Sequence, residues 1–443
     1  MNTVDTIAAL ASGVNGAIAV LRLSGMESLN IAHRLINSKV RLDGENTRKM
    51  MLVRIGCDHA LAVYFKGPAS YTGDDVVEFQ CHGGARVAKS VLELLLAQPE
   101  CRLAEPGEFT FRAFVNGKLD LVQSEAVADL IASDNDMAMK IASRQLEGSL
   151  SGKLHKLRDE LIFCLSECES RLDFPEENLD WDEELPEKIG AALEMVQQLL
   201  NSRERGDVFR NGVKTVIVGK PNAGKSSLLN FLLGYDRAIV TDIAGTTRDA
   251  LEESVIIRNI PVRLIDTAGL RENAEAVEKI GIERSYKHLD EAQVVFWMLD
   301  ASQPDIEELL KYSEAKEKII AVWNKCDLIS ADTVLPELPM TTVRISVLEG
   351  RGLDDLSDAF EKMVWGMDER ASEADFAVNA RHAAWLNEMK PLLGEAIMNC
   401  REREFELAAV QLHAAVRNLG FITGETADVD ILGEIFSRFC IGK

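Results

Sequence analysis

The residues with the clearest chemical meaning form a glycine-containing loop. Residues 219–226 read Gly-Lys-Pro-Asn-Ala-Gly-Lys-Ser and fit the pattern G-x-x-x-x-G-K-[ST]. Backbone N–H groups of such a loop make a positive site for phosphate, Lys225 reaches the β- and γ-oxygens, and the Ser226 hydroxyl can ligate Mg²⁺. A chance match is expected in roughly one or two chains of this length in a hundred, so an ordinary Gly-rich turn is disfavoured.

The neighbouring segments supply the elements that this loop needs. A β-branched run at residues 214–218 precedes it, and residues 227–233 can continue as a helix. Further on, Thr246 and Thr247 offer hydroxyls to Mg²⁺ and to the γ-phosphate. The sequence Asp-Thr-Ala-Gly at residues 266–269 follows a predicted strand, which places a carboxylate beside the metal and a glycine N–H beside the γ-phosphate.

A fourth motif predicts which base the bound nucleotide carries. Asn324-Lys325-Cys326-Asp327 follows two apolar runs, residues 294–299 and 319–323, that predict central strands. A carboxylate at Asp327 can accept hydrogen bonds from the N1–H and the exocyclic amine of guanine, and adenine lacks that pair of donors. The four motifs together predict a site for GTP rather than ATP.

Length and composition set the frame for this site. A chain of 443 residues with 47% hydrophobic residues predicts two or three domains. The net charge of −23 argues against general nucleic-acid binding but leaves room for a local basic patch. The eight cysteines show no metal-binding spacing, which favours reduced thiols. We find no signal peptide or membrane span and therefore expect a cytoplasmic protein.

The periodicity predicts an α/β protein with an additional helical domain. Residues 6–111 mix a helix at 86–96 with short strands at 17–23, 51–55, 61–65 and 76–80. Within this part, His82 is interpreted as an ordinary loop histidine. Helical patterns follow at 124–131, 138–146, 154–172 and 188–205, and return at 376–400 and 401–419, where Gly420 is the expected helix stop. We therefore predict one helical domain split by an inserted nucleotide-binding domain, with domain limits 1–115, 116–210, 211–370 and 371–443.

The motif set, the segment TDIAGTTRD at residues 241–249 and the C-terminal Cys-Ile-Gly-Lys resemble the MnmE (TrmE) family of tRNA-modification GTPases. In Ras-like enzymes a water-orienting glutamine follows Asp-x-x-Gly, but this chain has Leu270 there. The resemblance implies that Glu278 orients the water and that K⁺ is held by Asn222, Thr241, Ile243 and Thr246. With the motifs, it places GTP on Asn222, Ala223, Gly224, Lys225, Ser226, Ser227, Thr241, Thr246, Thr247, Asp266, Gly269, Asn324, Lys325, Asp327 and Ser346, and Mg²⁺ on Ser226 and Thr247.

The resemblance also covers the two ends of the chain. It implies an N-terminal folate-binding α/β domain that makes a homodimer, a helical domain from two segments, and an inserted Ras-like P-loop G domain. A 5-formyl or methylene tetrahydrofolate would contact Arg22, Glu78, Lys118 and Lys443, and Cys440 would be a functional thiol. Read alone, the four folate positions are ordinary surface charges and Cys440 is an inert core thiol. A prenylation box at the C-terminus is disfavoured because Lys is not a usual final residue.

The implied function is the GTP-hydrolysing subunit of a tRNA-modifying complex. With a FAD-dependent partner (MnmG/GidA), it would add an aminomethyl-type group to C5 of the wobble uridine, using a carbon from the folate and a K⁺-stimulated GTPase. Two alternatives stay open at this point. One is a GTP switch for assembly without nucleobase chemistry, and the other is a folate-dependent aminomethyltransferase, which would not need a G domain.

Overall fold

The computed structural model describes residues 5–37, 40–133, 135–173, 184–235, 253–265, 289–330, 332–366, 376–426, 429–437 and 439–442. The chain divides into two compact units. The first unit comprises Met1–Ile131, Gln145–Gln197 and Arg381–Lys443. The second unit comprises Ala132–Arg144 and Gln198–Ala380. Each unit contains one sheet, and each sheet carries one of the candidate sites described below.

The sheet of the first unit has the order β3-β4-β5-β2-β1-β6, and its described strand pairs are antiparallel except β1 with β6. Most of its strands alternate buried and accessible side chains, as in a sheet with one covered face, but β1 is buried on both faces because Ile7 and Ala9 pack with Phe109. The covered face packs Leu21, Leu23 and Phe79 against the first two helices. The elements are β1 Thr6–Leu10, β2 Ile18–Ser24, α1 Ser28–Leu35, β3 Met51–Ile55, β4 Asp58–Phe65, β5 Val76–His82, α2 Ala85–Leu96, β6 Cys101–Leu103 and α3 Glu108–Val115.

Helices dominate the next stretch of the chain. Their apolar residues recur at three and four spacing, and α6, for example, buries Leu154, Leu157 and Leu161. Helix α6 is described as far as Asp173. The helices are α4 Leu121–Ala132, α5 Asp136–Leu146, α6 Ser149–Asp173 and α7 Glu184–Asn211.

The sheet of the second unit has the order β12-β11-β10-β7-β9-β8 and is parallel except for the β8–β9 hairpin. Its central strands β10 and β11 are buried on both faces, which explains their continuous apolar sequence. The elements are β7 Val213–Gly219, α8 Lys225–Tyr235, β8 Glu253–Ile257, β9 Ile260–Ile265, β10 Val294–Asp300, α9 Glu307–Leu310, β11 Ile319–Asn324, β12 Thr341–Arg344 and α10 Leu353–Trp365, with short 3₁₀ turns at Ser313–Lys318 and Cys326–Leu328.

Three C-terminal helices complete the first unit, as far as the structure describes it: α11 Ala380–Glu402, α12 Phe405–Thr423 and α13 Val429–Ser437. Helix α12 packs along α6 from the earlier segment. An ion pair joins Arg158 of α6 to Glu425, just beyond the end of α12, and His413 bonds Glu169, so the two helices run antiparallel.

The predicted helix stop at Gly420 is wrong. Helix α12 continues to Thr423 and ends at Gly424, which adopts the left-handed conformation with φ +96° and donates its N–H to the Gly420 carbonyl. Gly420 is needed for packing instead, because a Cβ there would lie 2.7 Å from the Thr426 hydroxyl oxygen. The split helical domain and the inserted P-loop domain, predicted as the fold class, are confirmed.

Candidate functional site

The phosphate loop of the second unit joins β7 to α8 and has the conformation that its glycines permit. Gly219 and Gly224 have φ +140° and +102°, and Asn222 is left-handed at +63°. A Cβ at Gly219 would lie 2.3 Å from the Met298 carbonyl oxygen, and one at Gly224 would lie 2.1 Å from the Asn324 Nδ2. Both positions therefore require glycine, and the backbone is free to approach a phosphate.

The basic side chain of the loop is held over its backbone. The Lys225 ammonium donates to the carbonyls of Gly219 and Lys220, both at 2.9 Å. These carbonyls keep the charge at the mouth of the loop, where it can reach a bound phosphate. Ser226 and Ser227 follow in the first turn of α8, so the Ser226 hydroxyl lies where a metal ligand is expected.

The guanine motif is tied to the phosphate loop by one buried side chain. The Asn324 amide donates to the Ala223 carbonyl at 2.9 Å, and its oxygen accepts from the Val347 N–H at 3.2 Å. The side chain of Ser346 in turn donates to Asp327 at 2.5 Å. Three residues predicted to contact the nucleotide, Asn324, Asp327 and Ser346, are thus brought to one end of the parallel sheet, and the Ser346 hydroxyl fixes the Asp327 carboxylate.

Lys325 of the same motif has a partner that the sequence did not suggest. Lys325 is left-handed, with φ +64°, and its ammonium donates to Asp300 Oδ2 at 2.6 Å. The other Asp300 oxygen accepts from the N–H and the hydroxyl of Ser302, at 2.9 and 2.6 Å. Burial opposes ionisation of Asp300, but the hydrogen bonds from Lys325 and Ser302 outweigh it and lower the pKa of this carboxyl.

A cavity of about 570 Å³ lies beside these residues. Its wall includes residues 220–223 of the phosphate loop, Lys325 and the end of β10 with Asp300. The ion pair between Lys220 and Asp305 lies at its edge. The cavity is large enough for a small ligand, and its wall carries the cations Lys220 and Lys325 beside the carboxylates of Asp300, Asp305 and Glu308.

The remaining nucleotide predictions lie outside the described residues. They comprise the two metal-binding threonines, most of the K⁺ ligands, the Asp-x-x-Gly contacts and the water-orienting glutamate: Thr241, Ile243, Thr246, Thr247, Asp266, Gly269 and Glu278.

The first unit contains a second polar site, between its sheet and the C-terminal tail. Arg22 and Glu78 are direct cross-strand neighbours on β2 and β5, and their side chains form an ion pair at 2.7 Å. The Arg22 guanidinium also donates to the Gly442 carbonyl at 3.4 Å and lies over the rings of Tyr71 and Phe109, at 5.9 and 5.6 Å. The predicted pair Arg22 and Glu78 therefore does form one half-buried site.

The other predicted residues of this site are distributed around it. The Lys118 ammonium donates to the Pro68 carbonyl at 3.0 Å, in the loop that also carries Tyr71. Cys440 is an exposed free thiol, not the core thiol of the alternative interpretation, and its carbonyl accepts from the Gly107 N–H at 3.5 Å. Lys443 lies outside the described residues.

His82, which was interpreted from the sequence as an ordinary loop histidine, has a specific contact. His82 is the last residue of β5 rather than a loop residue, and its Nδ1 lies 2.6 Å from the buried Asp58 carboxylate. The ring itself is exposed, so the contact orients it without enclosing it.

A phosphate loop at the carboxyl end of a parallel sheet, joined to a guanine-specific Asn-Lys-x-Asp motif, defines a P-loop GTPase. Comparison with known proteins identifies the family within this class. The family model described as "MnmE helical domain" matches residues 121–440, and that described as "GTP-binding protein TrmE N-terminus" matches residues 6–118. The chain belongs to the MnmE (TrmE) family of tRNA modification GTPases.

Curated relatives match over the whole chain. The tRNA modification GTPase MnmE of Natranaerobius thermophilus is 41% identical, and the match covers 100% of both chains. That of Clostridioides difficile is 40% identical over 99% of both. That of Aquifex aeolicus is 42% identical over 96% of this chain and 97% of its own. Membership of this GTPase family implies GTP and Mg²⁺ as ligands. Among the described helices, none has the length and apolar character to cross a membrane.

Two contributors to these sites, Asp300 and Phe109, were not predicted from the sequence. Asp300 is the last residue of the apolar strand β10 and pairs with Asn324 of β11 in the sheet. Once the strand order is known, this pairing predicts that Asp300 lies beside the guanine motif. Tyr71 and Phe109 are distant in sequence from Arg22 and meet it only through the fold.

Proposed function

We propose that the chain couples GTP hydrolysis to modification at C5 of the wobble uridine of tRNA. The one-carbon unit comes from a 5-formyl or methylene tetrahydrofolate bound in the first unit. A FAD-dependent partner of the MnmG/GidA type supplies the redox chemistry. The added group is a (carboxymethyl)aminomethyl group. The proposed domain limits are 1–115 for folate binding, 116–210 and 371–443 for the helical domain, and 211–370 for the G domain.

The observation that carries this proposal is the position of the C-terminal tail. Gly442 has φ +99°, and a Cβ there would lie 2.5 Å from the Leu10 carbonyl oxygen, so the tail fits tightly against the end of β1. Its carbonyl meets Arg22, and the exposed thiol of Cys440 is only two residues away. The backbone of the tail thus contacts the Arg22–Glu78 pair, which supports a role for the nearby Cys440 in the same site.

The composition of this site suits a folate. A carboxylate such as Glu78 can accept hydrogen bonds from the amino face of a pterin, and the rings of Tyr71 and Phe109 offer apolar surface beside it. Lys118, in reach of the same loop, and Lys443 supply cations for the glutamate tail. Desolvation raises the pKa of the Tyr71 phenol above its ordinary value.

In the second unit we propose that K⁺ binds beside the phosphates, on Asn222, Thr241, Ile243 and Thr246, and that Glu278 orients the attacking water. The left-handed backbone of Asn222 supports this assignment, because it turns this residue out of the loop with an exposed side chain. A cation there would stabilise negative charge that develops between the phosphates, as an arginine does in other GTPases.

We further propose that the first unit forms a homodimer. The strand β3 lies at an edge of its sheet, and the uncovered face presents the directly paired Leu52 and Leu61, which are 64% and 37% exposed. Ile18 of β2 is 55% exposed. Exposed apolar side chains on a sheet favour association with a second copy.

The test is mass spectrometry of tRNA nucleosides from a strain lacking this protein, complemented with wild type, Cys440→Ser or Cys57→Ser. Cys57 is a matched control, because it is also an exposed free thiol of the first unit. We expect loss of the modified wobble uridine in the deletion strain, rescue by wild type and Cys57→Ser, and no rescue by Cys440→Ser. Modification that persists without any copy of the gene would refute the proposal.

Two separate measurements test the proposed K⁺ site and the proposed folate site. GTP hydrolysis should be much faster in KCl than in NaCl at equal ionic strength, and equal rates would refute the K⁺ site. Glu78→Gln should weaken binding of 5-formyltetrahydrofolate to the full chain, whereas Glu93→Gln, on the exposed face of α2, should not. Equal binding by both variants would place the folate elsewhere.

A further inference from the structure

The helical part of the first unit contains three buried thiols that the proposed function does not use. Cys164 and Cys168 lie one turn apart on α6, and Cys400 lies in the last turn of α11. The Sγ atoms of Cys168 and Cys400 are 4.0 Å apart, and each residue is 0% exposed. The two helices come from segments on opposite sides of the G domain in sequence, yet the thiols meet side by side.

The two sulfurs are not equivalent. The hydrogen bond with Cys168 lowers the pKa of the Cys400 thiol, and the positive charge of Arg171 acts in the same direction. The same hydrogen bond, together with burial, raises the pKa of Cys168. Burial also raises the pKa of Cys164, to about 11. Cys400 is therefore the thiol that ionises first and would act as the nucleophile.

Cys400 lies close to the end of its helix, where local opening is easiest. Helix α11 ends at Glu402, two residues after Cys400. The turn that follows α11 includes Arg403 in the left-handed conformation, with φ +63°. Fraying of a terminal turn costs much less free energy than unfolding of the unit, so small oxidants can reach the pair without global unfolding.

We propose that Cys168 and Cys400 form a disulfide site that responds to peroxide and links the two segments of the helical domain. Hydrogen peroxide oxidises the Cys400 thiolate to a sulfenic acid. The Cys168 thiol then displaces its oxygen, which leaves as water. In total, two thiols and one peroxide give one disulfide and two waters. The Sγ atoms must approach from 4.0 Å to about 2.05 Å for the bond to form.

The expected consequence is a restrained helical domain. The crosslink would span a sequence separation of 232 residues and join α6 to α11 covalently. Because a crosslink that closes a long loop restricts the unfolded chain, oxidation should raise the melting temperature by several degrees. Reduction by a small dithiol should restore the original value.

The experiment uses the full chain with Cys57→Ser and Cys440→Ser, which removes the two exposed thiols. The protein is treated with hydrogen peroxide, its remaining thiols are alkylated under denaturing conditions, and its peptides are mapped by mass spectrometry. We expect a linked pair of peptides containing Cys168 and Cys400. Cys164→Ser, a matched buried control on the same helix, should keep this link, and Cys400→Ala should lose both the link and the rise in melting temperature.

The possible results of the peptide mapping either support or overturn the proposed disulfide site. A Cys168–Cys400 link that forms in the folded protein and is reversed by the dithiol supports the site. A link that appears only above the melting temperature, a link through Cys164 instead, or recovery of both thiols unmodified would overturn it. The mapping is also carried out on the wild-type chain, so the result does not depend on how well any variant folds.

Discussion

The contact between Lys325 and Asp300 gives a quantitative prediction for the nucleotide site. Asp300→Asn keeps the shape of the side chain and removes its charge. The ammonium and the carboxylate oxygen are 2.6 Å apart, with side chains 32% and 21% exposed, so solvent screens the pair only in part. For such a partly exposed, charge-assisted contact we expect the substitution to weaken the free energy of GDP binding by about 1 kcal/mol. This corresponds to an affinity for GDP that is about fivefold weaker.

Equilibrium titration of the full chain with a fluorescent GDP analogue measures this loss. The KM for GTP should rise by the same factor with kcat unchanged, because Asp300 acts through Lys325 and not on the reacting atoms. In a Lys325→Met background, Asp300→Asn should have no further effect. Asp358→Asn is the control, since its partner Arg258 belongs neither to the phosphate loop nor to the guanine motif. The reasoning fails if affinity is unchanged, or if the loss persists in the Lys325→Met background.

Three further predictions follow from the geometry. Gly224→Ala should abolish GTP binding because its Cβ would collide with the buried asparagine amide, whereas Gly234→Ala in α8 has open space and should bind normally by the same titration. Ser346→Ala should weaken GDP binding severalfold, since it removes the hydroxyl that fixes the base-reading carboxylate. Glu125→Gln should reduce the free energy of unfolding by about 3 kcal/mol, measured with denaturant, and exposed Glu93→Gln should not.

Glu125 also fixes the sign of a pH dependence. Burial opposes its ionisation, but the charges and hydrogen bonds of His382 and Arg381 outweigh burial and hold its pKa well below the usual range. Its contribution to stability is therefore present above the ordinary glutamate pKa and is lost as pH falls through the lowered value in the folded state. The stability difference between wild type and Glu125→Gln should thus shrink in acid. A difference that grew as the pH fell would contradict this assignment.

Structural features that depend on consecutive residues could be predicted from the sequence. The phosphate loop was predicted with its strand and helix, because strand, glycines and helix are consecutive and each has a conformational reason. The strands β10 and β11 were predicted from their length and apolar character alone. The helix stop failed because two glycines lie four residues apart in the same region. The helix ends at the second of them, Gly424, which adopts the left-handed conformation and donates its N–H to the Gly420 carbonyl.

Other features depend on pairs that are distant in sequence. Arg22 meets Gly442 over a separation of 420 residues, and Arg381 meets Glu125 over 256. Neither residue type nor spacing reveals such a contact, because charged residues are common on any surface. Resemblance to a family could place Arg22 and Glu78 in one site, but it could not show that an aromatic pair flanks the guanidinium. That information exists only in the fold.

These distant contacts also impose an order on assembly of the first unit. Helix α13 brings Phe436 against Phe111 of α3 with ring centroids 5.3 Å apart, and the Phe436 carbonyl leaves no room for a side chain at Gly107. Loop closure over hundreds of residues must precede these contacts, so they form late in folding. The Arg22 site depends on them, because its Gly442 carbonyl arrives with the same tail. A chain that lacks its C-terminal segment therefore keeps the Arg22–Glu78 pair but loses the Gly442 carbonyl that Arg22 contacts.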